Sequence, residues 1–137
     1  MQLSGGGCTF RFRRLRPGAI LVTIIGDDVG QFGSATVDEV ATEFQRFGQP
    51  ISLYVDLRQA KGPATVVMET WTAWLAAQRA NLRRVMLLVP PESQVLHLTV
   101  SIAQHLSRTG NLLRICGELA EFQRALAEES PGFQLEA

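Results

Sequence analysis

Cysteine and histidine are scarce in this chain, with two of each among 137 residues. Cys8 and Cys116 are too few and too distant in sequence for a disulfide framework. They read as small buried strand residues of a reducing compartment. His97 and His105, with Ser101 between them, fall on one helical stripe about 12 Å apart at a rise of about 1.5 Å per residue. Zinc–nitrogen bonds are about 2.0–2.1 Å, so one metal cannot take both from a straight helix, and the stripe reads as polar and outward. Excess charge of either sign is also missing, because 13 basic residues balance 13 acidic ones. That removes any bulk attraction to nucleic acid or an anionic membrane. No apolar run reaches the ~18 residues of a membrane span. The opening Met1–Gly7 has neither a basic stretch nor an apolar run, so no secretory signal is expected and the cytoplasm is the expected location.

Catalytic signatures are absent too. There is no Gly-x-Ser-x-Gly elbow, and neither cysteine has a histidine close in sequence. Asp27-Asp28 is a carboxylate pair, but a turn rich in Asp and Gly explains it without chemistry. Gly26–Ser34 (GDDVGQFGS) is glycine-rich, yet it has neither a Lys-Ser/Thr ending nor G-x-G-x-x-G spacing. The expectation is a protein that is not an enzyme and holds no cofactor or metal.

What the chain has is a 46% hydrophobic, 19% charged composition, which is globular and not disordered. A domain of this length buries roughly two-thirds of its unfolded surface, enough for a core without metals or disulfides. We expect one domain over 1–137, an ordered core at about 8–129 and flexible ends, with the tail from Phe133 loose. Arg11, Arg13, Arg14 and Arg16 crowd the start, and Glu118, Glu121, Glu128, Glu129 and Glu136 crowd the end. They read as two solvated edges, the alternative being a basic docking patch.

Cys8–Leu15 alternates Phe10 and Phe12 with Arg11 and Arg13, as a half-buried strand does. Arg16-Pro17-Gly18 is a turn, and Ala19–Ile25 is a β-branched strand, so the two make a hairpin. Thr36-Val37-Asp38-Glu39 fits a capping box for a helix ending at Gly48, with Val37, Val40, Ala41, Phe44 and Phe47 inward. Ile51–Arg58 is the next strand, with Ile51, Leu53, Val55 and Leu57 on one side and Ser52, Tyr54, Asp56 and Arg58 on a polar other side. A helix over 65–78 turns Val67, Met68, Trp71, Trp74 and Leu75 to one side. Val85–Val89 is apolar on both faces and reads as the more central strand. A helix over 94–107 follows, with Val95, Leu98, Ile102 and Leu106 as its buried stripe. Strand 112–116 and a helix over 119–128, with Leu119, Phe122, Ala125 and Leu126 inward, complete the order. The fold class is α/β, β-β-α-β-α-β-α-β-α, with a mixed five-stranded sheet. Successive right-handed crossovers place the helices mainly on one face, and the polar side of Ser52, Tyr54 and Asp56 agrees with such a one-sided layer.

The segment before the 65–78 helix is the best-placed functional position. A helix N-terminus presents free amides and partial positive charge. Thr65 either caps that helix or accepts a phosphate that would lie on those amides, with Lys61 adding a cation.

This segment, LYVDLRQAKGPATVVMETWTAWL, resembles the STAS domains, the family of bacterial anti-sigma-factor antagonists (SpoIIAA-like) and sulfate-transporter C-terminal domains. The likeness runs from about residue 8 to 129. Val55-Asp56-Leu57 matches the family's strand end, while Arg58 replaces a small polar residue and Ala60 holds the apolar position. In the Asp-Ser-Ser/Thr-Gly loop that follows in the family, Ala64 stands for Asp, Thr65 for the first hydroxyl, Val66 for the phosphorylated hydroxyl and Val67 for Gly. One hydroxyl thus remains, one position off. The resemblance implies the STAS-like fold and a protein partner, a kinase-like anti-sigma factor in the family. It points to a non-catalytic regulatory module that binds through 59–65 and the following helix. Thr65, Lys61, Gly62, Asp56 and Arg58 are the candidate site residues, and Trp71 and Trp74 are candidate contact aromatics unless both are core. The alternative is a small-molecule or lipid carrier whose cavity Phe32, Trp71 and Trp74 would line. A homodimer is compatible with the first reading. Strand Cys8–Leu15 is its candidate edge, although the arginines there resist strand pairing.

Overall fold

The computed structural model describes residues 1–61 and 64–135, the side chains of Thr65, Val95, Leu96 and Thr99 excepted. The chain opens with a hairpin of β1 (Gln2–Gly5) and β2 (Cys8–Arg16), joined by Gly6 and Gly7. Both glycines have positive φ, which the two-residue turn of a right-twisted hairpin requires. Pro17-Gly18 then reverses the chain into β3 (Ala19–Gly26), with Gly18 at φ 87° where a turn opened by proline needs it. From β3 onward the strands run parallel. The order is α1 (Ala35–Phe47), β4 (Ile51–Ala60), α2 (Thr65–Ala77), β5 (Leu82–Leu88), α3 (Gln94–Ser107), β6 (Leu113–Cys116) and α4 (Leu119–Glu129). Spatial order equals chain order across six strands, one more than the five expected. The extra strand is β1, which is short, glycine-flanked and weak as a sequence signal, and which lies outside the 8–129 span expected for the core.

Each crossover steps to the next strand in the same direction. Right-handedness therefore places α1, α2 and α3 on one face. That face is the larger core: Phe10, Ile20, Val22, Leu53, Val55, Val85 and Leu113 from the sheet meet Val40, Leu75 and Val100 from the helices. The opposite face is covered by α4. Phe122, Ala125 and Leu126 pack on Leu21, Tyr54 and Met86, with Tyr54 and Phe122 edge to face at 6.1 Å between ring centres. The expected open polar side of β4 is therefore closed, because Ser52, Tyr54 and Asp56 are all buried. β4, flanked by β3 and β5, is more central than β5, which neighbours the edge strand β6, so the expected ranking of the two reverses. On this face Phe133 and Leu135 also pack against the cluster, and the Gln123 carboxamide bonds to the backbone of both.

Three further expectations change. α1 starts at Ala35 with Ser34 as its N-cap, so Thr36 is a buried residue inside the helix and forms no capping box with Glu39. The Ser34 hydroxyl instead donates to Asp38. α3 has the expected bounds but the opposite orientation: Val100, Ala103 and Ser107 are buried, while Leu98, Ile102 and Leu106 face outward. Leu119 on α4 is likewise exposed, although Phe122, Ala125 and Leu126 point inward as expected.

The basic start and acidic end largely neutralise each other and their surroundings. Arg14 pairs with buried Glu43 at 3.0 Å, and Glu43 also accepts from the Gly18 amide. Arg16 and Arg83 both pair with Glu129 at 3.0 Å, and Arg13 lies over the Phe133 ring at 4.7 Å. Arg11, Arg13 and Arg14 are exposed, as a solvated edge would be, and Arg14 and Arg16 also make ion pairs with glutamates elsewhere in the fold.

Candidate functional site

β4 outruns β5. Its pairing with β5 ends at Asp56 opposite Leu88, whereas β3 accompanies it to Ala60. The Lys61 amide prolongs this by donating to Gly26 at 2.9 Å, and the Ala64 amide donates to Asp28 at 3.0 Å. The glycine-rich loop 27–34 is thus tied directly to the start of α2. The Gln31 carboxamide holds the loop's other side by donating to the Gly5 carbonyl at 3.1 Å and accepting from the Val29 amide at 2.8 Å. Gly26 allows this junction. Its φ is 93°, and a Cβ there would collide with the Gly7 carbonyl.

Thr65 is the first helical residue of α2, and Ala64 is the N-cap, with no side chain able to accept from the first turn. The Thr65 side chain, like Gly62 and Pro63, lies outside what is described. Val66, which stands where the resembled family has its phosphorylated hydroxyl, is 55% exposed. Lys61, five residues earlier, is exposed too. Between loop 28–36 and α2 is a cleft of about 60 Å³ lined by Asp28, Thr36, Val66, Thr70 and Trp71, among others. Asp28 is buried, and its carboxylate accepts from the Gly30 amide at 3.0 Å in an Asx turn.

Beneath α2 lies an apolar cavity of about 100 Å³, bounded by Phe10, Leu53, Val55, Trp71, Leu75 and Val100, with Asp28 at its rim. Trp71 and Trp74 are both half-buried. They meet edge to face at 5.7 Å, and Trp74 lies 6.3 Å from Phe44. The two indoles hold α2 against α1 and the sheet, and Trp71, with Asp28 and Val67, borders both the cleft and the cavity. Phe32 packs edge to face on Phe10 at 5.6 Å between ring centres.

Asp56 and Arg58 sit elsewhere. They alternate with Val55 and Leu57, so they point to the α4 side of the sheet, across it from Thr65. Arg58 holds buried Asp56 in a two-pronged pair, Nε to Oδ1 at 3.0 Å and a terminal nitrogen to Oδ2 at 2.9 Å, and its amide adds a bond at 3.1 Å. That hydrogen bonding holds the guanidinium pKa above its usual value. The expected set therefore splits, with α2, which carries Thr65 and Trp71, on one face and the Asp56–Arg58 ion pair on the other.

Sequence reading missed Asp28 as a loop organiser, although the Asp-x-Gly spacing carries that signal. It also missed the exposed apolar residues Val29, Val66, Leu98, Ile102 and Leu106. Both cysteines are buried as expected, and burial is the main cause pushing their thiol pKa values up. Among the described residues, no helix is long and apolar enough to cross a membrane, and no group of three or more His, Cys, Asp or Glu could hold a metal ion.

Neither a family model nor a curated protein matches the sequence. Solved structures do match. One is an uncharacterized protein with a SpoIIAA-like fold from Shewanella loihica PV-4, at 10% identity and TM-score 0.63, covering 90% of this chain and 98% of that one. Another is an anti-sigma factor antagonist from Mycobacterium paratuberculosis, at 17% identity and TM-score 0.56, with the same coverage. At these identities the likeness speaks to architecture: the chain has the SpoIIAA-like fold of the STAS type.

Proposed function

We propose that this protein is a non-catalytic regulatory module that binds a protein partner through residues 59–65 and the first turns of α2. The observation that carries the reading is Val66. A large apolar side chain stands exposed at an uncapped helix start, on the rim of a cleft, in a fold shared with an anti-sigma factor antagonist. Apolar residues left in water beside a polar rim mark interaction sites. Lys61 supplies a cation at the edge of the contact, and a phosphate on Thr65 would lie on the open amides of α2. Asp56 and Arg58 serve the same surface indirectly, by fixing the end of β4 from the other side of the sheet.

The carrier alternative is not favoured. Pockets for small molecules hold roughly 300–1,000 Å³, and the cavity under α2 is about 100 Å³. The decisive experiment captures partners with the tagged full chain and then titrates the captured partner against the wild type, Val66→Asp and Leu119→Asp. Val66→Asp should weaken binding at least tenfold, while Leu119→Asp, on the α4 side, should leave it unchanged. Equal loss in both variants, or in neither, defeats the reading. Mass spectrometry of Thr65 in the captured protein decides whether a kinase-like anti-sigma factor is the partner class.

A further inference from the structure

α3 is the least explained element of the fold. Its sequence, QVLHLTVSIAQHLS, contains no Asp, Glu, Lys or Arg. Its inner side is satisfied by Val100, Ala103 and Ser107, and by Gln104, which donates to the Gly110 and Leu113 carbonyls. Its outer side carries Leu98, Ile102 and Leu106 at 64%, 50% and 62% exposure. Residues four apart line one helical stripe, so the three form a continuous apolar ridge.

The ridge has two properties that select its occupant. Its spacing is symmetric about Ile102, with leucine four residues on either side. A two-fold axis through Ile102 therefore brings Leu98 against Leu106 of a second copy and Ile102 against itself, the self-complementarity an isologous contact requires. The helix also lacks formal charge, so juxtaposing it with its own copy incurs no like-charge repulsion. Antiparallel alignment further sets each helix N-terminus beside the other's C-terminus, the favourable sense for the dipoles. A membrane surface fits less well, because helices that lie on membranes carry Lys or Arg along their polar face, and α3 has none.

We propose that α3 is the docking face for a second copy of this chain, as an antiparallel α3–α3 pair about a two-fold axis at Ile102. This replaces the strand-edge route: β2 is paired on both sides, and the true edges, β1 and β6, have four residues each. Short edges resist strand addition. The ridge from Leu98 to Leu106 is about 12 Å long on a 14-residue helix, far short of the ~800 Å² per partner of a standard interface. The dimer is therefore weak, half-formed on the order of 10–1,000 μM.

Sedimentation equilibrium of the full chain between about 10 μM and 1 mM tests this. The wild type should shift from monomer toward dimer, Ile102→Glu should weaken association at least tenfold, and Leu119→Glu should behave as the wild type. Oxidative crosslinking reads the register independently of those variants. Ile102→Cys should link to itself. Leu98→Cys should link to Leu106→Cys in a mixture and not to itself, since two copies of position 98 lie about 12 Å apart along the pair and disulfides need Cα atoms within about 7 Å. Cys8 and Cys116 are buried and do not compete. A wild type that stays monomeric at 1 mM overturns the proposal. So does unimpaired association of Ile102→Glu, self-linking of Leu98→Cys, or a monomer that sediments with phosphatidylcholine vesicles through the same residues.

Discussion

At the scale of single residues, the groups that matter are those whose chemistry is suppressed. Cys8 and Cys116 are buried with raised thiol pKa values, burial being the main cause in both and Asp28 and Asp27 adding to it at Cys8. Tyr54 is raised too, first by burial and then by Glu129. A raised folded-state pKa means the unfolded chain releases its proton first as pH climbs, so above the unfolded pKa the native state binds more protons. Stability is then fully present below about pH 8.5, where unfolded thiols begin to ionise, and falls as pH rises through the folded values. Each group contributes a slope of up to about 1.4 kcal/mol per pH unit. Urea unfolding at pH 7, 8.5 and 10 should show this decline. The double variant Cys8→Ala/Cys116→Ala, less stable at pH 7, should lose less between pH 8.5 and 10 than the wild type does. A wild type equally stable at all three values contradicts the assignment. The cysteines' burial was legible because each sits among apolar strand residues. The role of Asp28 was half legible, since its Asp-x-Gly spacing signals the bond from the Gly30 amide, whereas the bond its backbone carbonyl accepts from the Ala64 amide joins residues far apart in the chain. Thr36 and Glu39 matched a capping box, but the helix began two residues earlier, with Ser34 as its N-cap, and left Thr36 inside it.

At the scale of elements, helices were legible as helices and less so as oriented bodies. α3 illustrates the reason. Periodicity locates a face when one side is polar, and α3 is apolar or neutral almost all round, so Leu98, Ile102 and Leu106 look as suited to the core as Val100 and Ala103. Tertiary packing chose the smaller residues, because α3 lies beside α2 over the cavity, where Val100 and Ala103 fit. The choice is measurable. Val100→Ala removes buried side-chain volume beside that cavity and should cost about 1–3 kcal/mol. Leu98→Ser removes a side chain already in water and should change stability by less than about 0.5 kcal/mol at concentrations where the chain is monomeric. Thermal or urea unfolding at about 5 μM compares the two, and the reverse ranking would restore the orientation expected from sequence. α2 was clearer, since Trp71, Trp74 and Leu75 fall on a single side. Even there, sequence could not tell that the indoles brace α2 against α1 while Val66 stands exposed.

At the scale of the whole molecule, the two sides of the sheet are unequal. Three helices cover one side, and α4 with Phe133 and Leu135 after it covers the other. Strand direction and right-handed crossovers made the three-helix side legible in advance. The α4 side was not, because Ser52, Tyr54 and Asp56 resemble a solvent face and only the folded chain shows them closed over. Tyr54 reconciles the two: its ring serves as apolar surface for Phe122, and Arg84 lies 5.8 Å from the same ring. Arg16 and Arg83 then clamp Glu129 at the end of α4. These ion pairs have partly exposed arginines, so each adds little on its own. The weight therefore rests on Phe122, which is fully buried and is the largest apolar side chain α4 contributes. Phe122→Ala should cost about 3–5 kcal/mol, a large share of the ~5–15 kcal/mol that holds a domain together. Because α4 is the sole helical cover of its side, the loss should appear as faster hydrogen exchange in β4 and β5 together with α4, not in α4 alone. An exchange profile that changes only in α4 would mean that the helix is an appendage and that the sheet keeps that side closed without it.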